Sequence, residues 1–168
     1  MLKVAAMVLC SALVVGCGAT AQYGNPSQNV GANQGTSAQT SAENCNGTLG
    51  AISVEFVRVP QGATCTLNGT KVDGNVQVER DAKLFSTNAR IGGNVQAENA
   101  ARTNVSGGSV GGSVQVKQGL ASSVTGVKIG GDIQFDEMLS ALIANSNTVT
   151  GSIQIVKNFG GVSVNNNR

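Results

Sequence analysis

The sequence predicts an all-β protein: a single parallel β-helix (β-solenoid) of about 19-residue coils, following a signal peptide and a disordered linker. Three observations carry this reading. Glutamines recur at 77, 96, 115, 134 and 154, in steps of 19, 19, 19 and 20, each inside a copy of one seven-residue pattern. Within every copy apolar and polar residues alternate, which is the period of a half-buried strand. The chain of 168 residues holds 23 glycines, one tyrosine and no tryptophan, so burial must come from many small aliphatic side chains rather than a few large rings.

The first element is an export segment. Lys3 followed by the apolar run from Val4 to Val15 has the charged start and short apolar core of a secretory signal. It is too short to span a bilayer comfortably. The run ends in Leu13-Val14-Val15-Gly16-Cys17, which resembles the lipobox of bacterial lipoproteins. That resemblance implies removal of residues 1–16, a lipid thioether on Cys17 and a membrane anchor through the N-terminal lipid. Ala19-Thr20-Ala21 offers a second reading, ordinary cleavage that would release a secreted protein beginning at Gln22. Residues 17–44 are expected to form the lipidated start and a flexible linker. Gly, Ala, Ser, Thr, Gln and Asn with almost no charge bury too little apolar surface to offset the entropy of ordering.

The repeat domain spans 45–168. Val72-Asp73-Gly74-Asn75-Val76-Gln77-Val78 aligns with Ile91 to Ala97, Val110 to Val116, Ile129 to Phe135 and Val149 to Ile155. Stacking like on like gives three inner columns: Val72/Ile91/Val110/Ile129/Val149, Val76/Val95/Val114/Ile133/Ile153 and Val78/Ala97/Val116/Phe135/Ile155. Each buried Val or Ile contributes on the order of 1.5–3 kcal/mol. A second strand per coil is expected around Val105, Val124 and Ile143, again 19 apart. The column Gly74/Gly93/Gly112/Gly131/Gly151 reads as a corner or a close backbone approach. Gln77, Gln96, Gln115, Gln134 and Gln154 point outward and are expected to form a ladder of amides, each able to donate and accept between coils.

With Cys10 leaving in the signal and Cys17 lipidated, Cys45 and Cys65 are expected to pair, as cysteines of exported proteins do. One coil apart, they are expected in the same column of adjacent coils, a spacing inside the disulfide range. The bridge would staple a first coil, Gly50 to Ala63, that has the strand Val54 to Val59 but lacks the consensus.

Chemistry is sparse. The absence of histidine removes the usual general base and the commonest metal ligand, and no cofactor or metal site is expected. A net charge of +2 falls far short of a nucleic-acid binder, so nucleic acid is not an expected partner. The glycines open no G-x-G-x-x-G helix and no Walker motif, which argues against nucleotide binding. Of nine carboxylates, Asp132 and Asp136 share a coil and are expected to share a face, and Asp73, Glu79 and Glu98 sit in equivalent outward columns, the arrangement in which glycan chemistry would be sought. Ser113, Lys117, Ser152 and Val156 interrupt their columns, so no dense acidic patch is expected and the protein reads as a non-enzyme.

The Gly-Gly-Asn-Val-Gln and Gly-Gly-Ser-Val-Gln repeats resemble those of uncharacterised exported bacterial repeat proteins, and are more distantly similar to bactofilins. The expected function is a non-enzymatic, lipid-anchored module of the cell envelope that is structural or meets an envelope glycan or protein. The alternatives are a carbohydrate-binding or polysaccharide-processing β-helix, and, as the second resemblance implies, a self-assembling scaffold. The chain ends part way through a coil, at Gly160 to Arg168, so a weak homo-dimer through the C-terminal coil is also expected.

Overall fold

The computed structural model of the protein describes residues 40–168, and all nineteen of their regular elements are β-strands. A leading turn is built from β1 (Thr40–Asn44) and β2 (Gly47–Leu49), and the first coil from β3 (Ser53–Val59) and β4 (Thr64–Asn68). Five triplets follow, β5 (Lys71–Val72), β6 (Val76–Val78) and β7 (Lys83–Thr87), then β8 (Arg90–Ile91), β9 (Val95–Glu98) and β10 (Arg102–Ser106). The next are β11 (Ser109–Val110), β12 (Val114–Lys117) and β13 (Ala121–Thr125), and β14 (Lys128–Ile129), β15 (Ile133–Asp136) and β16 (Leu142–Asn145). The last comprises β17 (Thr148–Val149), β18 (Ile153–Val156) and β19 (Val162–Asn165).

Each strand pairs in parallel with its equivalent one coil away, which makes the domain a β-solenoid of about six turns. Sequence alternation dictates which side of each strand faces in. Val76, Val95, Val114 and Ile133 lie opposite one another in register and are fully buried. The other two expected columns are buried in the same way through Ile129 and Phe135, while Val149, Ile153 and Ile155 of the last coil are partly buried.

The strands are short because each coil bends between its two short strands and turns at two left-handed corners, one of them at Asp81, Asn99, Gln118, Glu137 and Lys157 in successive coils. Asn88, Gly107, Gly126, Ser146 and Asn166 have φ between 52° and 66° and succeed one another along the stack. Glycine, asparagine and serine fit there, since a bulky or β-branched side chain would crowd its own backbone. In the first coil the bend between the two short strands is missing. β3 runs straight through it and pairs with both β5 and β6, joining their two columns into one sheet of twelve strands.

Three expectations need correction. β1 lies inside the segment expected to be linker, yet it pairs in parallel with β3, Thr40 opposite Val54 and Asn44 opposite Arg58. Backbone pairing needs no apolar side chains, so polar composition does not exclude a strand. Ile143 does not continue the column of Val105 and Val124. Ala144 stands opposite Val124, and Ile143 is exposed opposite Ser123. Leu139 is still in step with Leu120, since its N–H bonds the Gly119 carbonyl just as that of Leu120 bonds the Ala100 carbonyl. The extra residue of the 20-residue coil falls between Leu139 and Leu142, which stands opposite Ser122. It therefore shifts this strand before it shifts the next glutamine. Finally, Cys45 and Cys65 are bridged with Cα atoms 5.4 Å apart, but they do not share a column. Gly47 stands opposite Cys65, and Cys45 follows directly on β1, so the bridge crosses diagonally from the leading turn into the seven-stranded sheet.

Among the described residues the core holds three hydroxyls without hydrogen-bond partners, on Ser86, Thr103 and Ser122. Thr103 and Ser122 are neighbours in the inner column that also contains Leu84 and Leu142. Thr103→Val keeps the shape and removes a dehydrated hydroxyl, so it is expected to stabilise the domain by about 1 kcal/mol. A higher urea midpoint checks this, and a lower one contradicts it.

Candidate functional site

A polar surface covers the outer side of β6, β9, β12, β15 and β18, where the glutamines stand in register. Gln96 Nε2 donates to Gln115 Oε1 at 3.3 Å, and Gln115 Nε2 donates to Gln134 Oε1 at 3.2 Å. Gln77 and Gln154 hold their register at either end but add no amide-to-amide bond among the described residues. An open trough of about 700 Å³ follows this ladder, lined among others by Gln77, Gln96, Gln115, Gln134, Glu98 and Lys117. Glu98, Lys117 and Asp136 succeed one another in its outer column, so charge alternates and no single sign dominates. The lining includes no aromatic ring.

A second ladder, which sequence reasoning missed, sits at the glycine corner. Asn75 Oδ1 accepts the N–H of Asn94 at 2.7 Å, Asn94 Oδ1 that of Ser113 at 2.8 Å, and Ser113 Oγ that of Asp132 at 3.0 Å. Asp132 Oδ1 in turn accepts from Ser152 at 2.7 Å. Each small polar side chain thus satisfies the backbone one coil on, at a bend where the sheet ladder breaks. This explains the glycines before them. A side chain on Gly93, Gly112, Gly131 or Gly151 would run into the oxygen of Asn75, Asn94, Ser113 or Asp132 respectively. The signal was present in the sequence as a short acceptor, Asn, Ser or Asp, at every fourth position of the motif.

The structure does not gather all five candidate carboxylates. Asp132 belongs to the corner ladder, and Asp73 lies on the short-strand side, bonded to Lys71 at 2.6 Å. Glu79 pairs with Arg58 and accepts the N–H of Gln61. Glu79, Glu98 and Asp136 line the glutamine trough, Glu98 and Asp136 separated by Lys117 and Glu79 held by Arg58. Glu137, at the neighbouring turn, accepts from Gln118 Nε2 at 2.7 Å and from Lys157 Nζ at 3.1 Å. The Gln118 bond and then the Lys157 ammonium hold the Glu137 carboxyl below its usual range, and the Glu137 bond holds Lys157 above its own.

Among the described residues no group of three potential metal ligands occurs, and no helix is long and apolar enough to cross a membrane. Cys17, the signal segment 1–16 and the alternative cleavage site at Ala21 lie outside the described residues. No family model, no curated protein and no solved structure matches the chain.

Proposed function

We propose that the protein is a non-enzymatic, lipid-anchored module of the bacterial cell envelope, with Cys17 as the lipidated residue and the solenoid as a rigid structural or interaction element. The observation that carries this reading is the commitment of three of the five candidate acids to the scaffold. Asp132 caps the backbone of Ser152, Asp73 bonds Lys71, and Glu79 bonds Arg58. A general acid or base needs a proton that it is free to exchange with substrate, whereas these carboxylates have intramolecular work. A face stiffened by stacked coils and an amide ladder suits a spacer or docking element, because each coil is braced by its neighbours.

The experiment has two arms. Labelled palmitate is expected to enter the wild type, which partitions with membranes, and Cys17→Ser is expected to remain unlabelled and soluble. An unlabelled wild type beginning at Gln22 would replace the anchored reading with the secreted one. Incubation with envelope polysaccharides is expected to release no reducing ends. Release that is lost in Asp136→Asn or Glu98→Gln would instead establish a polysaccharide-processing enzyme in the glutamine trough.

A further inference from the structure

The short-strand side of the coils carries a charge pattern that the proposed function does not use. β5, β8, β11, β14 and β17 place Lys71, Arg90, Ser109, Lys128 and Thr148 opposite one another in one column. Arg168 continues it, its N–H bonded to the Asn147 carbonyl and its Nε to Thr148 Oγ1 at 3.3 Å. Lys71, Arg90, Lys128 and Arg168 are exposed. Parallel strands lie about 4.8 Å apart, so these cations follow one another at one or two coil steps along a straight line.

The column two residues on, on the same face and past the buried Val72, Ile91, Val110 and Ile129, is nearly bare. It begins with Asp73, continues through Gly92, Gly111 and Gly130, and ends at Thr150. The glycines are required by the stack. A side chain on Gly92 would strike the Asp73 carbonyl, one on Gly111 the Gly92 carbonyl, and one on Gly130 the Gly111 carbonyl. Carboxylates are therefore excluded beside Arg90 and Lys128 in this column, and its one acid, Asp73, pairs with Lys71. An open trough of about 410 Å³ runs along the two columns, lined by Lys71, Arg90, Ser109, Gly111 and Lys128 among others.

We infer that this face binds a linear acidic polysaccharide, its carboxylates along the Lys71–Arg90–Lys128–Arg168 column and its sugar rings on the bare Gly92–Gly111–Gly130 backbone. The inference rests on reading the coils as an interaction module and names the surface and the ligand class. A straight row of cations at coil spacing suits a polymer that carries one charge per sugar, because an extended sugar residue is close to one coil step in length. The arginine forks match carboxylates, and the absent Cβ atoms let a ring approach the backbone closely. Single-stranded nucleic acid is disfavoured because no aromatic side chain lines the trough to stack a base. An anionic bilayer is disfavoured because three of the largest exposed apolar side chains, Leu120, Leu139 and Phe159, stand on the turn after β12, β15 and β18 instead.

Affinity electrophoresis of the full chain in nonionic detergent tests this, with polygalacturonate or neutral dextran in the gel. Polygalacturonate is expected to retard the protein and dextran is not. Arg90→Ala/Lys128→Ala is expected to weaken retardation about tenfold, while Lys83→Ala/Arg102→Ala, with the same loss of charge on the seven-stranded sheet, changes it less than about twofold. Arg90→Lys/Lys128→Arg keeps the charges and is expected to bind within about twofold of the wild type. Equal weakening by the two alanine pairs, or no retardation at all, overturns the inference. So does association with phosphatidylcholine vesicles that rises on adding phosphatidylglycerol and depends on Arg90 and Lys128, which would make the ligand a membrane. Cleavage of polygalacturonate with binding intact would sink the non-enzymatic reading alone.

Discussion

Val114→Asp is expected to unfold the middle coils. Val114 is 0% exposed, has Val95 and Ile133 in register on either side, and faces a core with no cation to receive a charge. An unpaired carboxylate there costs several kcal/mol, and the group can escape only by taking up a proton or by opening the coil. Because each coil is held mainly by its neighbours, one opened in the middle leaves two shorter stacks with less to hold each. Gln115→Ser is the matched control on the opposite face. It removes two amide bonds, to Gln96 and Gln134, from a partly solvated ladder and is expected to cost about 1–2 kcal/mol. Urea titration followed by far-ultraviolet circular dichroism separates the two. Similar midpoints for both variants would mean that the faces are assigned the wrong way round.

Gly112→Ala is expected to be the next most damaging change, at about 1–3 kcal/mol. Its new methyl group would meet Asn94 Cγ at 2.9 Å and the Gly93 carbonyl oxygen at 3.0 Å. Asn94 is not free to yield, because its Oδ1 holds the Ser113 N–H, and the carbonyl is part of the stack. The informative comparison is the cycle with Asn94→Gly. Removing the asparagine side chain takes away one obstruction and also the cap, so the two costs are expected to be less than additive. Gly126→Ala tests a different constraint, since nothing lies within 4 Å of that site and only its φ of 66° resists a side chain, at about 1–2 kcal/mol. Additive costs at Gly112 and Asn94 would mean that the glycine is retained for something other than the polar ladder.

Much of the architecture was legible in the residues themselves. Alternation within a strand is enforced by covalent geometry, since successive side chains must point to opposite faces. Val76, Gln77 and Val78 therefore announce their faces without any knowledge of the fold. The step of 19 between equivalent glutamines does the same for the stacking of one coil on the next. The pairing of Cys45 with Cys65 followed by elimination.

What the period cannot convey is where within a coil an added residue is absorbed. The extra residue visible at Gln154 is taken up between Leu139 and Leu142, so Ala144 rather than Ile143 faces inward. Only burial of the whole strand decides between the two. The same limit explains why the cysteines were given the wrong column, and why the polar Thr40–Asn44 went unrecognised as a strand when its stabilisation comes from pairing with β3. The candidate surfaces belong to this second class as well. Asn75 and Asn94, or Arg90 and Lys128, are separated by 19 and 38 positions in the chain and become one ladder or one row of charge through the stacking of coils. Which residues line each face was thus set by the sequence through alternation and period, and which of them meet was decided by register, because contacts between coils depend on the whole length of chain that closes each turn.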